Sequence, residues 1–192
     1  PPTQPLFATC GDDKTVRVWS AKDKTMLAQG VLPDPVTCLM WAPRESIDHQ
    51  ITAGMQSGQC AVLVHKVGKH QMPFNLLTEV AGREPYSITC LKYSPDSRYV
   101  AVGGSSGFVD IFDAAQAYNR VGMCKAPEYG AMPLRSIQWS DDQHTLMTET
   151  VGHTLLFWDV TDAANQDCQQ ILNSEAVGKE LWASWGSMVG WP

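Results

Sequence analysis

Ile88-Thr89-Cys90-Leu91-Lys92-Tyr93-Ser94-Pro95 is the stretch on which the fold turns, because the chain repeats its pattern on either side. Val36-Thr37-Cys38-Leu39-Met40-Trp41-Ala42-Pro43 stands before it, and Leu134-Arg135-Ser136-Ile137-Gln138-Trp139-Ser140-Asp141 after it. Each opens on apolar residues and runs through an aromatic into a turn. A second pattern recurs four times: Thr15-Val16-Arg17-Val18-Trp19-Ser20, Cys60-Ala61-Val62-Leu63-Val64-His65, Phe108-Val109-Asp110-Ile111-Phe112-Asp113 and Thr154-Leu155-Leu156-Phe157-Trp158-Asp159. Aligned on Trp19, Val64, Phe112 and Trp158, these copies stand 45, 48 and 46 residues apart. A repeat of that length marks a unit that cannot bury its apolar face alone and stacks on copies of itself.

Each unit reads as short strands joined by turns. Expected strands are Leu6–Cys10, Thr15–Ser20 and Thr25–Gln29, then Val36–Trp41, Gln50–Ala53, Gln59–His65 and Asn75–Val80. Ile88–Tyr93, Tyr99–Gly103, Phe108–Asp113 and Arg120–Cys124 follow, then Leu134–Trp139, Thr145–Glu149, Thr154–Asp159 and a weak strand near Gln169–Leu172. Ser94-Pro95-Asp96-Ser97 is a turn signal, with proline pre-setting the backbone and aspartate bonding its own chain. Helical periodicity is absent apart from one turn at most over Asp113 to Tyr118. The period and strand count fit the WD40 repeat. The fold class is therefore all-β: a partial WD40 β-propeller of about four blades of four-stranded antiparallel sheets in an open arc. Blade A is partial (1–30), blades B, C and D span about 31–80, 81–130 and 131–180, and 181–192 begin a further blade.

Thr9, Asp13 and Trp19 sit where a WD40 blade places its hydrogen-bonded Ser/Thr, Asp and Trp. Blades B, C and D carry Gln56 or Ser57, Ser106 and Gly152 near the aspartate position and are expected to rely more on apolar packing. Phe112 and Trp158 take the closing aromatic position. Trp19, Trp41, Trp139 and Trp158 are expected at equivalent core positions, since aromatic side chains bury large areas. Val36, Cys38, Leu39, Ile88, Cys90, Leu91, Leu134 and Ile137 are expected to divide between the buried faces of the innermost strands.

Blade C, the end of blade D and the tail resemble one family more closely. Tyr93-Ser94-Pro95-Asp96-Ser97-Arg98-Tyr99-Val100-Ala101-Val102-Gly103-Gly104 and Phe108-Val109-Asp110-Ile111-Phe112 look like a blade of the echinoderm microtubule-associated protein-like family. Arg120-Val121-Gly122-Met123-Cys124-Lys125 with Ile137-Gln138-Trp139-Ser140 is similar. The sharpest match is Ser174-Glu175-Ala176, then Leu181-Trp182-Ala183-Ser184-Trp185 and Met188-Val189-Gly190-Trp191-Pro192. In the family this junction, here with Trp182, Trp185, Gly190, Trp191 and Pro192, lies late in the second of two tandem propellers. Lys125-Ala126-Pro127-Glu128 departs from the glycine-histidine usual there. The resemblance implies a non-catalytic, cytoplasmic, cytoskeletal protein whose propellers contact tubulin or microtubules.

Composition bounds the alternatives. The net charge is −6, with 44 % hydrophobic and 18 % charged residues, as in an ordinary globular chain. Without a basic stripe, nucleic acid is not an expected partner. No apolar run approaches the roughly 20 residues that span a bilayer, so no membrane is expected. Pro1-Pro2-Thr3-Gln4-Pro5 does not read as a signal peptide. Cys10, Cys38, Cys60, Cys90, Cys124 and Cys168 are widely spaced, which reads as free thiols in a reducing compartment rather than a disulfide framework or zinc site. The aspartate pairs Asp12–Asp13 and Asp141–Asp142 read as turns, His144 and His153 lack metal-ligand spacing, and neither a catalytic residue nor a cofactor is expected. Lys66 and Lys69, with His65 and His70, form a small basic cluster that is a candidate contact with an acidic partner. The plain reading of that cluster is a solvated loop. A generic WD40 scaffold, as in a ciliary or ubiquitin-ligase assembly, is the alternative function. Because Leu6–Cys10 reads as a second strand with no first, the chain is expected to be a fragment whose end faces lack neighbours.

Overall fold

The computed structural model describes residues 5–43, 49–65, 75–80, 85–125, 132–162, 168–172, 177 and 182–183. Among the described residues fifteen strands form four antiparallel sheets, each a meander of consecutive strands. Sheet A holds β1 (Leu6–Cys10), β2 (Thr15–Ser20) and β3 (Thr25–Val31). Sheet B holds β4 (Val36–Trp41), β5 (His49–Met55), β6 (Cys60–His65) and β7 (Asn75–Val80). Sheet C holds β8 (Ile88–Tyr93), β9 (Tyr99–Gly104), β10 (Val109–Asp113) and β11 (Asn119–Cys124). Sheet D holds β12 (Leu134–Trp139), β13 (Thr145–Thr150), β14 (Leu155–Asp159) and β15 (Gln169–Ile171). Every expected strand is present, with ends within two residues of those read from sequence. A 3₁₀ turn, Ala114–Gln116, is capped by the Asp113 carboxylate. Among the described residues no helix is long and apolar enough to cross a membrane. The architecture is that of a partial β-propeller built from WD40-type blades.

Contacts divide the chain into two compact units, the first through Ile88 and the second from Thr89. In the first, Val16 and Leu32 of blade A pack with Val36, Ala53, Met55, Ala61 and Leu63 of blade B, and Cys10 and Leu39 join them. In the second, Cys90, Ala101, Val109, Ile111 and Cys124 of blade C meet Leu134, Ile137, Trp139, Leu146, Leu156 and Trp158 of blade D. Strands β6, β9, β10 and β13 are buried almost throughout, so each hides both of its faces. Of the residues expected to share the innermost strands' core, Val36, Ile88, Cys90, Leu91, Leu134 and Ile137 are buried, and Cys38 and Leu39 are partly so.

The turn between the second and third strands sets the register of each blade. Its last residue adopts positive φ in all four: Lys14 (63°), Gly58 (97°), Gly107 (77°) and His153 (62°). Each N–H there closes the turn onto the carbonyl three residues back, on Gly11, Met55, Gly104 and Thr150. Counting five residues on from these points reaches Trp19, Leu63, Phe112 and Trp158. The alignment of Val64 with Trp19 is therefore corrected to Leu63. A β-bulge confirms it, falling between Val18 and Trp19, Val62 and Leu63, and Ile111 and Phe112. The extra residue of a bulge shifts the ladder at one defined place, so it marks equivalent positions independently of side chains.

The four tryptophans form two classes rather than one. Trp19 and Trp158 lie on third strands, whereas Trp41 and Trp139 end first strands, where blade C has Tyr93. Trp139 and Trp158 are fully buried, while Trp19 and Trp41 are only partly covered.

Candidate functional site

Polar side chains in these blades serve the backbone first. Asp13 accepts from the Thr15 hydroxyl at 2.7 Å, from Arg17 at 2.6 Å and from the Thr15 N–H at 3.2 Å. These bonds, led by that of the Thr15 hydroxyl, hold its carboxyl below the usual range although it is exposed. At the matching position Ser106 accepts from the Phe108 N–H at 3.3 Å, and Gly152 has no side chain to offer.

Trp19 Nε1 donates to Thr9 Oγ1 at 2.9 Å. Blade D repeats this bond, Trp158 Nε1 to Thr148 Oγ1 at 3.0 Å, now buried. Blade D was expected to rely more on apolar packing, and the sequence reading did not single out Thr148. The available signal was the spacing, since a threonine stands ten residues before each tryptophan. The corresponding pairs are Ala53 with Leu63 in blade B and Val102 with Phe112 in blade C. The acceptor is thus present where the donor is, which avoids burying an unsatisfied hydroxyl or indole N–H.

The first turn of blades C and D is a second repeated device. Ser94 Oγ donates to Asp96 Oδ1 and Ser140 Oγ to Asp142 Oδ1, each at 2.6 Å. The same hydroxyls accept the N–H groups of Tyr99 and Thr145 at 2.9 Å. Asp96 and Asp142 in turn accept the N–H groups of Arg98 at 2.9 Å and His144 at 3.0 Å. The Ser140 hydroxyl, the largest influence, lowers the Asp142 pKa. Asp159 is likewise lowered, chiefly by the Thr161 N–H. These aspartates are turn formers.

Blades also bond to their neighbours. Within the first unit Thr37 Oγ1 donates to the carbonyls of Ile88 at 2.6 Å and Gly54 at 3.0 Å. Within the second, Thr89 Oγ1 donates to the Leu134 carbonyl at 2.7 Å and Trp139 Nε1 to that of Lys92 at 3.0 Å. Glycine permits the close approach: a Cβ on Gly103 would lie 2.8 Å from Leu134 Cδ1 and 2.9 Å from Ile137 Cδ1 and Cys90 Sγ. Blade D breaks both rules. Arg135 stands in place of the threonine, and Glu149 in place of the glycine. The buried Glu149 carboxylate accepts from Ser136 Oγ at 3.2 Å and lies 3.5 Å from His153 Nδ1.

All six cysteines are free thiols, and burial pushes that of Cys38 up to about 11. Trp182 of the junction pairs with Ser140 and packs near Phe157, ring centroids 6.1 Å apart, in a small cluster with Met147 and Val177. Trp185, Gly190, Trp191 and Pro192, and the candidate contact residues Lys66 and Lys69, lie outside the described residues.

Comparison with known proteins places this geometry in a family. The family model described as the second β-propeller of echinoderm microtubule-associated protein matches residues 1–192. The 77 kDa echinoderm microtubule-associated protein of Lytechinus variegatus is 28 % identical over 195 residues, covering 100 % of this chain and 26 % of its own length. That of Strongylocentrotus purpuratus is 27 % identical over 194 residues, with the same coverage of 100 % and 26 %. The human echinoderm microtubule-associated protein-like 2 is 25 % identical over 192 residues, covering 98 % of this chain and 27 % of its own. This chain spans about a quarter of the length of these relatives. With blade-forming sheets along the chain and a match from end to end, the chain belongs to the echinoderm microtubule-associated protein family, in its second β-propeller.

Proposed function

We propose that this chain is a non-catalytic protein-interaction domain of a microtubule-associated protein, and that it binds tubulin or microtubules. The observation that carries the reading is the match to that family over the whole chain, joined to relatives whose names state microtubule association. The use of side-chain chemistry supports it. Asp13 and Asp142, one member of each adjacent aspartate pair, accept backbone N–H groups in turns, as Asp96 and Asp159 do, so these carboxylates serve the fold. A cytoplasmic, cytoskeletal location follows from the same reading. We read residues 1–192 as blades at about 1–30, 31–80, 81–130 and 131–180, with 181–192 opening a further one. Thr9, Asp13, Trp19, Phe112 and Trp158 act as structural positions within them.

Co-sedimentation of the full-length protein with taxol-stabilised microtubules tests the proposal. Saturable pelleting is expected. A protein that stays in the supernatant at saturating microtubules would favour a scaffold of some other assembly.

A further inference from the structure

Blades C and D each bring a cysteine to the place where their chains meet. Cys124 ends β11, the outermost strand of sheet C, and Cys168 stands just before β15, the outermost strand of sheet D. The Cys168 N–H donates to the Met123 carbonyl at 3.0 Å, off the edge of β11. That carbonyl belongs to the peptide that carries Cys124, and a peptide oxygen lies about 2.8 Å from the next Cα. The Cα atoms of Cys124 and Cys168 are therefore no more than about 7 Å apart. Disulfides span about 4.4–6.8 Å between Cα atoms, so the backbone brings the pair within reach.

The side chains share one cluster. Cys124 pairs across from Val109, and both belong to the buried core that joins blade C to Leu134, Ile137, Trp139 and Trp158 of blade D. Cys168 packs against that same core. Cys124 is 0 % exposed, whereas Cys168 is half-buried, and both thiols are reduced. Cys90, the third cysteine of this unit, lies on β8 at the opposite edge of sheet C, three strand spacings or about 14 Å from β11. Taken singly, each cysteine is a small apolar filler. Two of them meeting across a blade junction can also react with each other.

We infer that Cys124 and Cys168 are a thiol pair that closes into a reversible disulfide under oxidising conditions, tying the outer strand of blade C to blade D. The oxidant is a small disulfide such as oxidised glutathione. The half-buried Cys168, as its thiolate, attacks one sulfur of that molecule. The small S–S bond breaks, a mixed disulfide forms at Cys168, and one thiolate leaves. The Cys124 thiolate then attacks the Cys168 sulfur, forming the Cys124–Cys168 bond and expelling the second small thiolate. The two protons lost by the protein end on the two departing thiols. Two protein thiols are thus oxidised, and one small disulfide is reduced to two thiols. The order follows exposure, since Cys124 is reached only when β11, an edge strand, opens locally. A reducing compartment keeps the pair open, and an oxidised thiol pool closes it. The inference is independent of microtubule attachment.

The test treats native full-length protein with oxidised glutathione, blocks the remaining thiols with N-ethylmaleimide, and maps non-reduced tryptic peptides by mass spectrometry. Cys124 falls in the peptide Val121–Lys125 and Cys168 in Ser136–Lys179, each the sole cysteine of its peptide. The two peptides should appear linked in about half of the molecules or more, and dithiothreitol should separate them. Protein unfolded in urea before oxidation should give about tenfold less of this link, because the fold no longer holds the two thiols together. Cys168→Ser should leave Cys124 reduced in the folded protein. Cys124→Ala should leave glutathione trapped on Cys168. Cys168→Ser, at the half-buried position, keeps the test valid if alanine at the buried one unfolds the protein. No link in the native protein, an equal yield from unfolded protein, Cys124 joined to Cys90 instead, or glutathione held on wild-type Cys168 without the link overturns the inference.

Discussion

Trp158 donates its indole N–H to Thr148 across 3.0 Å, inside a core that hides both side chains from solvent. Two terms hold blade D at this point, the buried ring and its satisfied polar edge. Trp158→Ala should cost about 3–5 kcal/mol in denaturant unfolding, the range for emptying an aromatic site. Trp158→Phe should cost less, about 1–3 kcal/mol, because it takes the indole donor from the buried Thr148 hydroxyl, which keeps its bond to the Leu156 carbonyl at 3.5 Å. Adding Thr148→Val, which copies the Val102–Phe112 pair of blade C, should recover part of that loss in a double-mutant cycle. A Trp158→Ala change under about 1 kcal/mol would show that the ring does not occupy the core.

Gly103 should not tolerate a methyl group. Leu134, Cys90 and Ile137 side chains stand 2.8–2.9 Å from where its Cβ would sit. Gly103→Ala should destabilise by about 1–3 kcal/mol through overpacking. Gly11→Ala is the control, since the nearest atom to its Cβ, Asp13 Oδ1, is at 3.8 Å and a cost under about 1 kcal/mol is expected. Equal melting shifts for the two variants would contradict the close approach of blades C and D.

Cys38 should make the protein sensitive to alkali. Its thiol is raised by burial from 9.0 to about 11. Between about pH 9 and about pH 11 the unfolded chain releases a proton that the folded chain keeps. The stabilising contribution is therefore complete below about pH 9 and is lost as pH rises through about 11. Thermal melts at stepped pH should show a steeper alkaline decline for the wild type than for Cys38→Ala. Parallel declines would mean that Cys38 is not the group responsible.

The 192-residue chain on its own should self-associate through blade A. Phe7 stacks on Trp19 with centroids 6.2 Å apart and is 47 % exposed, and Met26 pairs across from Trp19. Leu146 of blade D, opposite Trp158 as Phe7 is opposite Trp19, is 0 % exposed beneath blade C. An apolar row left open in this way favours association. Sedimentation velocity should show oligomers that Phe7→Lys with Met26→Lys reduces. A monodisperse wild-type monomer would count against the expectation.

Strand order and blade-forming sheets were legible in the sequence because apolar runs and turn residues are local signals. The register of blade B was not, since Leu63 and Val64 are both branched and only the bulge and the Gly58 turn separate them. Thr148 was overlooked because the eye follows the aspartate turn, and blade D has Gly152 there. Glu149 was invisible for a different reason: its burial depends on a neighbouring strand that places Ser136 against it. The candidate contact residues Lys66 and Lys69 lie outside the described residues, and in sequence alone an exposed lysine looks the same in a solvated loop and in a contact.

Lys14 and His153 hold positive φ at the point where Gly58 and Gly107 do so freely. A side chain in that conformation costs about 1 kcal/mol, a cost met twice here without a glycine to relieve it. Backbone handedness thus keeps the phase of the repeat more faithfully than any residue type. Strand side chains are then free to differ, as Trp19, Leu63, Phe112 and Trp158 do at one equivalent position. A strand cannot slip by one residue without dragging a left-handed link out of its turn, so each blade keeps its internal register although the blades differ in length.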